Sequence, residues 1–307
     1  MFQKKKSFIA VIMLLLSIIF INSTMPVLAY SSTTNNVDTY EEYQYESIEE
    51  AMAAFETTIV LDEWYARFNS LTPEEQATIN YRPPLFVETQ KNIYGIDVPV
   101  LPSNEQPVFY RAEISEEWLN QSEGNIDTRR NETPVRNSLP INGYELPYYP
   151  AYWNQPSIKN YANCYTYALG GYSNNYGGLD PGMLANIPLL PQYFNTNGLC
   201  ALIWSDIQAM LGGSLVYPPP QDRWVLVGET QTARPLYYKT AMCIDPGWDY
   251  HFYRQDSSGY WSHKRGITDV IDWDASYYAI SNPRTANRNY SSANYTTWCG
   301  FYEYKYY

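Results

Sequence analysis

Histidine is nearly absent: the 307 residues contain two, His251 and His263. Neither a His-x-x-x-His run nor a Cys-x-x-Cys pair occurs, so the sequence predicts no metal site and no cofactor. Cysteine is scarce too, with Cys164, Cys200, Cys243 and Cys299. Four cysteines in an exported chain of this size do not make a disulfide framework; with Cys164 a free thiol, Cys200, Cys243 and Cys299 leave at most one bridge, and nothing in the sequence selects the pair. Basic residues are outnumbered, 20 against 32 acidic ones, for a formal charge of −12. That balance, without a local basic patch, excludes nucleic acid and anionic membrane surfaces as partners. There is no Gly-rich phosphate loop, no internal repeat and, beyond Ile21, no charge-free apolar run approaching the ~20 residues that span a bilayer.

What the chain does have begins at its N-terminus. Lys4, Lys5 and Lys6, the apolar run from Phe8 to Ile21 broken only by Ser17, and the small-residue site Val27-Leu28-Ala29 predict a secretory signal peptide over residues 1–29. The mature protein is then secreted, starts near Tyr30 and is free of the membrane after cleavage. Losing the three lysines takes its formal charge from −12 to −15. Tyrosine is the compositional outlier, 32 residues beside nine tryptophans, and predicts a β-rich surface of half-exposed aromatic rings.

Residues 30–119 form an N-terminal region that is helical in part. Ser47-Ile48-Glu49-Glu50 reads as a capping box, and Ile48, Met52, Phe55 and Ile59 recur at helical spacing, predicting a helix over about 48–58. Thr72-Pro73-Glu74-Glu75 is a second helix start, stopped by Arg82-Pro83-Pro84. Residues 120–157 are rich in polar residues and in proline (Pro134, Pro140, Pro147, Pro150, Pro156) and read as a linker. Arg129-Arg130 within it is a candidate cleavage site that would make the N-terminal region a propeptide. Beyond it, residues 158–307 read as a short helix opening at Cys164 and a second helix over 201–211. Strands follow at 224–228, 237–244, 250–255, 260–263, 269–273 and 298–306, an α+β domain with helices before an antiparallel sheet.

A thiol attacks amides as thiolate and needs a helix N-terminus and an imidazole to lower its pKa. Cys164 has Asn163 in front of it as a cap and a helix after it, which makes it the candidate nucleophile. His251 is the candidate base. His263, across the turn Asp256-Ser257-Ser258-Gly259, is placed to orient it, with Asp249, Asp272 and Asp274 as alternatives. Asn160, Tyr161 and Asn163 are the candidates for an oxyanion hole or pocket. A cysteine at a helix start followed by a strand histidine and, after a hairpin, a second histidine resembles the papain-like cysteine peptidases, the NlpC-type cell-wall peptidases in particular. The strings 163–169 and 249–264 also resemble those of a group of secreted bacterial proteins. The resemblance implies a papain-like fold and Cys164, His251 and His263 as nucleophile, base and orienting residue, acting on a peptide or peptidoglycan substrate. In this chain Asn163-Cys164-Tyr165-Thr166 replaces the usual Asp-Cys-Ser-Gly, and Phe252-Tyr253 replaces the glycine after the base.

Three functions therefore compete: a secreted cysteine hydrolase cleaving amide bonds, an effector or toxin with deamidase or acyl-transfer activity, and a non-catalytic extracellular surface module in which Cys164 is half of a disulfide.

Overall fold

A computed structural model describes residues 57–83, 106–113, 138–190, 193–211 and 220–305. The predicted signal peptide, most of the helix expected over 48–58 and Arg129-Arg130 lie outside these residues. Helix α1 (Thr57–Ser70) is followed by α2 (Pro73–Gln76), which begins on the predicted capping box. The Thr72 hydroxyl accepts from Glu75 N at 3.3 Å, and the Glu75 carboxylate accepts from Thr72 N at 3.0 Å. A short strand β1 (Phe109–Arg111) pairs antiparallel with β2 (Gly171–Ser173). Between them lie α3 (Pro150–Trp153), α4 (Pro156–Lys159) and α5 (Cys164–Ala168); α6 (Thr196–Met210) and α7 (Pro220–Arg223) come later.

The remaining strands, β3 (Trp224–Val227), β4 (Tyr237–Asp245), β5 (Asp249–Gln255), β6 (Trp261–Lys264), β7 (Val270–Ile271) and β8 (Thr297–Lys305), make one antiparallel sheet in the order β3-β8-β4-β5-β6-β7. The mixed α and β composition with antiparallel sheets and few helices matches the expected α+β class. Every residue of β5 and β6 is buried. A sheet covered on both faces does not alternate apolar with polar residues. Both faces of β5 are covered, so its polar residues Asp249, His251, Arg254 and Gln255 are buried along with the apolar ones.

The described residues all fall in one compact unit, Glu49–Tyr307. Trp64, Phe68, Ile79 and Tyr81 belong to the same core as Cys164, Phe252 and Trp261. Residues 57–83 are thus built into the sheet domain, where the sequence suggested a separate unit. Residues 138–157, expected as linker, carry α3 and α4 and a second buried cluster of Tyr149, Tyr152, Trp153 and Ile158 against Tyr167 and Val270. Two of the prolines counted toward a linker, Pro150 and Pro156, stand in the first turns of those helices, where proline is favoured. The aromatic area beside them offsets the ordering entropy. All four cysteines are buried and free, so Cys200, Cys243 and Cys299 form no bridge, within the limit of one expected, and Cys164 forms none either.

Candidate functional site

Asn163 is the N-cap of α5: its Oδ1 accepts from Thr166 N at 3.1 Å, and the Thr166 hydroxyl accepts from Asn163 N at 3.0 Å. Its Nδ2 donates to Leu179 O at 2.8 Å and Tyr250 Oη at 3.1 Å. The side chain is fully used in holding the helix. Asn160 terminates α4 as its C-cap, and Tyr161 packs edge-on to Tyr176 with centroids 6.1 Å apart. Neither makes a described hydrogen bond with Cys164.

The helix docks on one face of β5. Tyr165 packs on Phe252 with centroids 5.4 Å apart, and Tyr167 bonds Ser262 Oγ at 2.6 Å and accepts from Arg254 Nη2 at 2.8 Å. Alternation along the strand sends His251 and Tyr253 to the other face. There the β5–β6 register sets Tyr253 opposite His263, one pair on from His251. The turn that fixes it is closed by Asp256 N to Tyr260 O at 2.8 Å and Gly259 N to Asp256 O at 2.8 Å, with Gly259 at φ +83°.

His251 Nε2 and His263 Nδ1 are 2.7 Å apart. Because His263 Nε2 faces the Trp273 carbonyl at 2.9 Å, it carries the proton, leaving Nδ1 bare to accept from His251 Nε2–H. His251 Nδ1 is then bare as well and accepts from Asn80 Nδ2 at 3.3 Å. The chain of donors runs Asn80 to His251 to His263 to Trp273 O, with both rings neutral. Tyr295 stacks on His251 with centroids 5.0 Å apart, and Tyr253 meets it edge-on at 4.8 Å.

Asn80, which sequence reasoning did not single out, is the centre of the cluster. Its Oδ1 accepts from Cys164 N at 3.2 Å and Gly266 N at 2.8 Å. Its Nδ2 also faces Asp249 Oδ2 at 3.1 Å and Tyr250 O at 3.0 Å. The Cys164 backbone N–H, at the start of α5, is therefore taken by a side-chain amide oxygen. Gly266, at φ +48°, lets the backbone at Ala77 and Ile79 pass where any Cβ would collide. The Cys164 thiol donates to Tyr250 O at 3.8 Å, and both nitrogens of His251 are engaged elsewhere. No Cys164–His251 hydrogen bond forms.

Electrostatics point the same way. Burial, and then the charge of Asp249, push the Cys164 thiol well above its ordinary pKa, the opposite of what a nucleophile needs. Burial, followed by the neighbouring His263, holds His251 well below the usual histidine range, and burial lowers His263 to about 3. Cys164, His251 and His263 are each fully buried. Asp249 binds the 80–81 backbone, accepting from Tyr81 N at 2.8 Å and from Tyr295 Oη at 2.7 Å; burial raises its carboxyl to about 6. Asp274 caps its own loop, accepting from Ser276 N at 2.8 Å and Asn287 N at 2.9 Å, and Asp272 is buried beside Trp273. The orienting group behind His263 is the Trp273 carbonyl. Among the described residues no group of three or more His, Cys, Asp or Glu is placed to hold a metal ion.

The histidine pair has a measurable consequence. His263 titrates near 6.5 when unfolded and at about 3 when folded, so between these values the unfolded chain binds the extra proton. Its contribution is complete above pH 6.5 and is lost as pH falls toward 3, at ~1.4 kcal/mol per pH unit. Asp180 and Asp256, each raised to about 7 by burial, act in the opposite sense, so wild type is compared with His263→Gln. The difference in unfolding free energy between the two should shrink by ~2 kcal/mol from pH 6.5 to pH 5. A pH-independent difference would mean that His263 is protonated in the fold.

No family model matches the chain, and no solved structure matches it. The chain is similar to insoluble matrix shell protein 1 of the mollusc Ruditapes philippinarum, 31% identical over 151 residues, which is 49% of this chain and 86% of the relative. That relative is a shell matrix protein. The comparison overturns the expectation of a bacterial cysteine hydrolase cleaving amide bonds. Of the three functions weighed from the sequence, it favours the non-catalytic extracellular module.

Proposed function

Because the chain belongs to the family of insoluble matrix shell protein 1, we propose that it is a secreted, non-catalytic structural module of an insoluble extracellular matrix. The observation that carries this reading is the similarity across most of the relative's length. The closed cluster supports it from the chemical side. A thiol with a raised pKa, a histidine with both nitrogens engaged and an amide on the Cys164 N–H, all buried from solvent, stabilise a fold. The apolar leader ahead of Tyr30 supports export.

Expressed with its own leader in cultured animal cells, the chain is expected outside the cells, in the deposited matrix that resists extraction by salt and non-ionic detergent. On the native protein iodoacetamide should leave Cys164, Cys200, Cys243 and Cys299 unlabelled, and after denaturation it should reach all four. Recovery wholly in the soluble medium would overturn the matrix role. Fast labelling of native Cys164 would overturn the closed cluster.

A further inference from the structure

Four tyrosines among the described residues are exposed: Tyr110 at 43%, Tyr144 at 48%, Tyr277 at 52% and Tyr278 at 48%. Two of them are consecutive, on a turn that is fixed from within. Asp274 Oδ1 accepts from Ser276 N at 2.8 Å and Tyr278 N at 3.1 Å, and Asp274 O accepts from Tyr277 N at 2.9 Å. Asp274 N donates to Tyr278 O at 2.8 Å and Ala275 N to Asn287 O at 3.0 Å, closing the turn against the next loop. Tyr277 stands at φ +64°, a left-handed backbone that bulky side chains avoid. Glycine is the ordinary residue at such a position, so a tyrosine there is held out to solvent at a conformational cost the fold does not require. Neither ring stacks on another aromatic ring among the described residues, and neither hydroxyl has a described partner. By contrast Tyr81, Tyr165, Tyr167, Tyr238, Tyr250 and Tyr253 are all shielded inside.

We propose that Tyr277 and Tyr278 form an oxidative cross-linking site through which one copy of the chain is coupled to phenols of neighbouring copies. The inference rests on the matrix reading above and names the chemistry that makes the module insoluble. Each phenol loses one electron and its hydroxyl proton to become a tyrosyl radical. Two radicals on different chains join through ring carbons ortho to oxygen, and the ring hydrogens move to the oxygens to restore both phenols. The oxidant is hydrogen peroxide acting through a haem peroxidase; it takes up the two electrons and two protons and leaves as two waters. With no ring stacked on either tyrosine among the described residues, a radical at the turn meets its partner on another molecule.

The test treats the purified mature chain with hydrogen peroxide and a haem peroxidase and reads dityrosine fluorescence, SDS-resistant dimer, and the cross-linked peptides by mass spectrometry. Wild type should give dimers whose cross-links map to Tyr277 or Tyr278. Tyr277→Phe/Tyr278→Phe, which keeps both rings, should cut dimer yield at least fivefold with unchanged melting. Tyr277→Gly should melt higher than wild type while cross-linking less. Wild-type dimer yield from the double variant, or cross-links confined to other tyrosines such as Tyr110 or Tyr144, overturns the proposal. The double variant is also expressed in the cell assay. If wild type and variant resist extraction alike, the matrix role stands and the cross-linking site falls. If the purified wild type couples at the turn yet the secreted chain stays in the soluble medium, the matrix role falls instead.

Discussion

Replacing Asn80 by alanine should lower the unfolding free energy by about 3–5 kcal/mol, measured by denaturant titration at pH 7, because it leaves several buried polar groups without partners at once. The Cys164 N–H, in the first turn of α5 where no intrahelical acceptor exists, and the Gly266 N–H both lose Asn80 Oδ1. Tyr250 O and His251 Nδ1 lose Asn80 Nδ2. Each orphaned buried group costs ~1–3 kcal/mol, and with Asn80 itself 1% exposed, water cannot reach them without opening the segment 78–82. A loss below 1 kcal/mol would show that the cluster admits water and that Asn80 does not close it. His251→Ala in the same background should then cost less than in wild type, since the two residues belong to one network.

Much of this site was legible in the sequence. The capping pattern of Asn163 and Thr166, the helix opening at Cys164 and the turn Asp256–Gly259 are local features, written in residues three or four apart. The pairing of the two histidine rings follows from alternation and from the length of the turn. The side of the strand on which the thiol helix would dock is not local. It depends on Tyr165, Tyr167 and Asn163 finding Phe252, Arg254 and Tyr250, contacts 87 residues apart in each case. A cysteine and a histidine with the right spacing therefore read as a dyad, although their hydrogen bonds go elsewhere.

Asn80 was illegible for the same reason, since it lies 84 residues before Cys164 and 171 before His251. Its neighbours read as the end of a helix before Arg82-Pro83-Pro84. One signal pointed to it, the apolar Ile79 and Tyr81 on either side, both fully buried. A polar residue between two core residues, after a helix that has already ended, is a candidate for bridging backbone groups of another segment. Composition alone makes residues 138–157 read as linker. Yet Pro150 and Pro156 stand at helix starts ahead of aromatic or apolar residues, as Pro73 stands at the start of α2.

Trp64→Ala should cost about 4 kcal/mol, near the upper range for emptying a large buried side chain. Trp64 is 2% exposed, stacks on Phe68 at 4.9 Å, meets Tyr81 edge-on at 5.5 Å and lies 5.1 Å from the ring of Trp248. Its Nε1 donates to Trp248 O at 2.8 Å, and Trp248 in turn donates to Ser292 O at 2.9 Å, so α1 is tied to the loop after β4 and to the loop before β8. Against a typical domain stability of 5–15 kcal/mol, such a loss removes a large fraction of the whole. It is the measurement that separates an integral N-terminal segment from a removable one. A propeptide that merely covers a preformed domain can lose its anchor with the sheet's own melting unchanged. A segment that supplies Asn80 to the α5 terminus cannot, and near-UV signals from Trp224 and Trp261 should disappear in the same transition as those of α1. Separate transitions, with the sheet melting as in wild type, would return residues 57–83 to the status of a detachable unit.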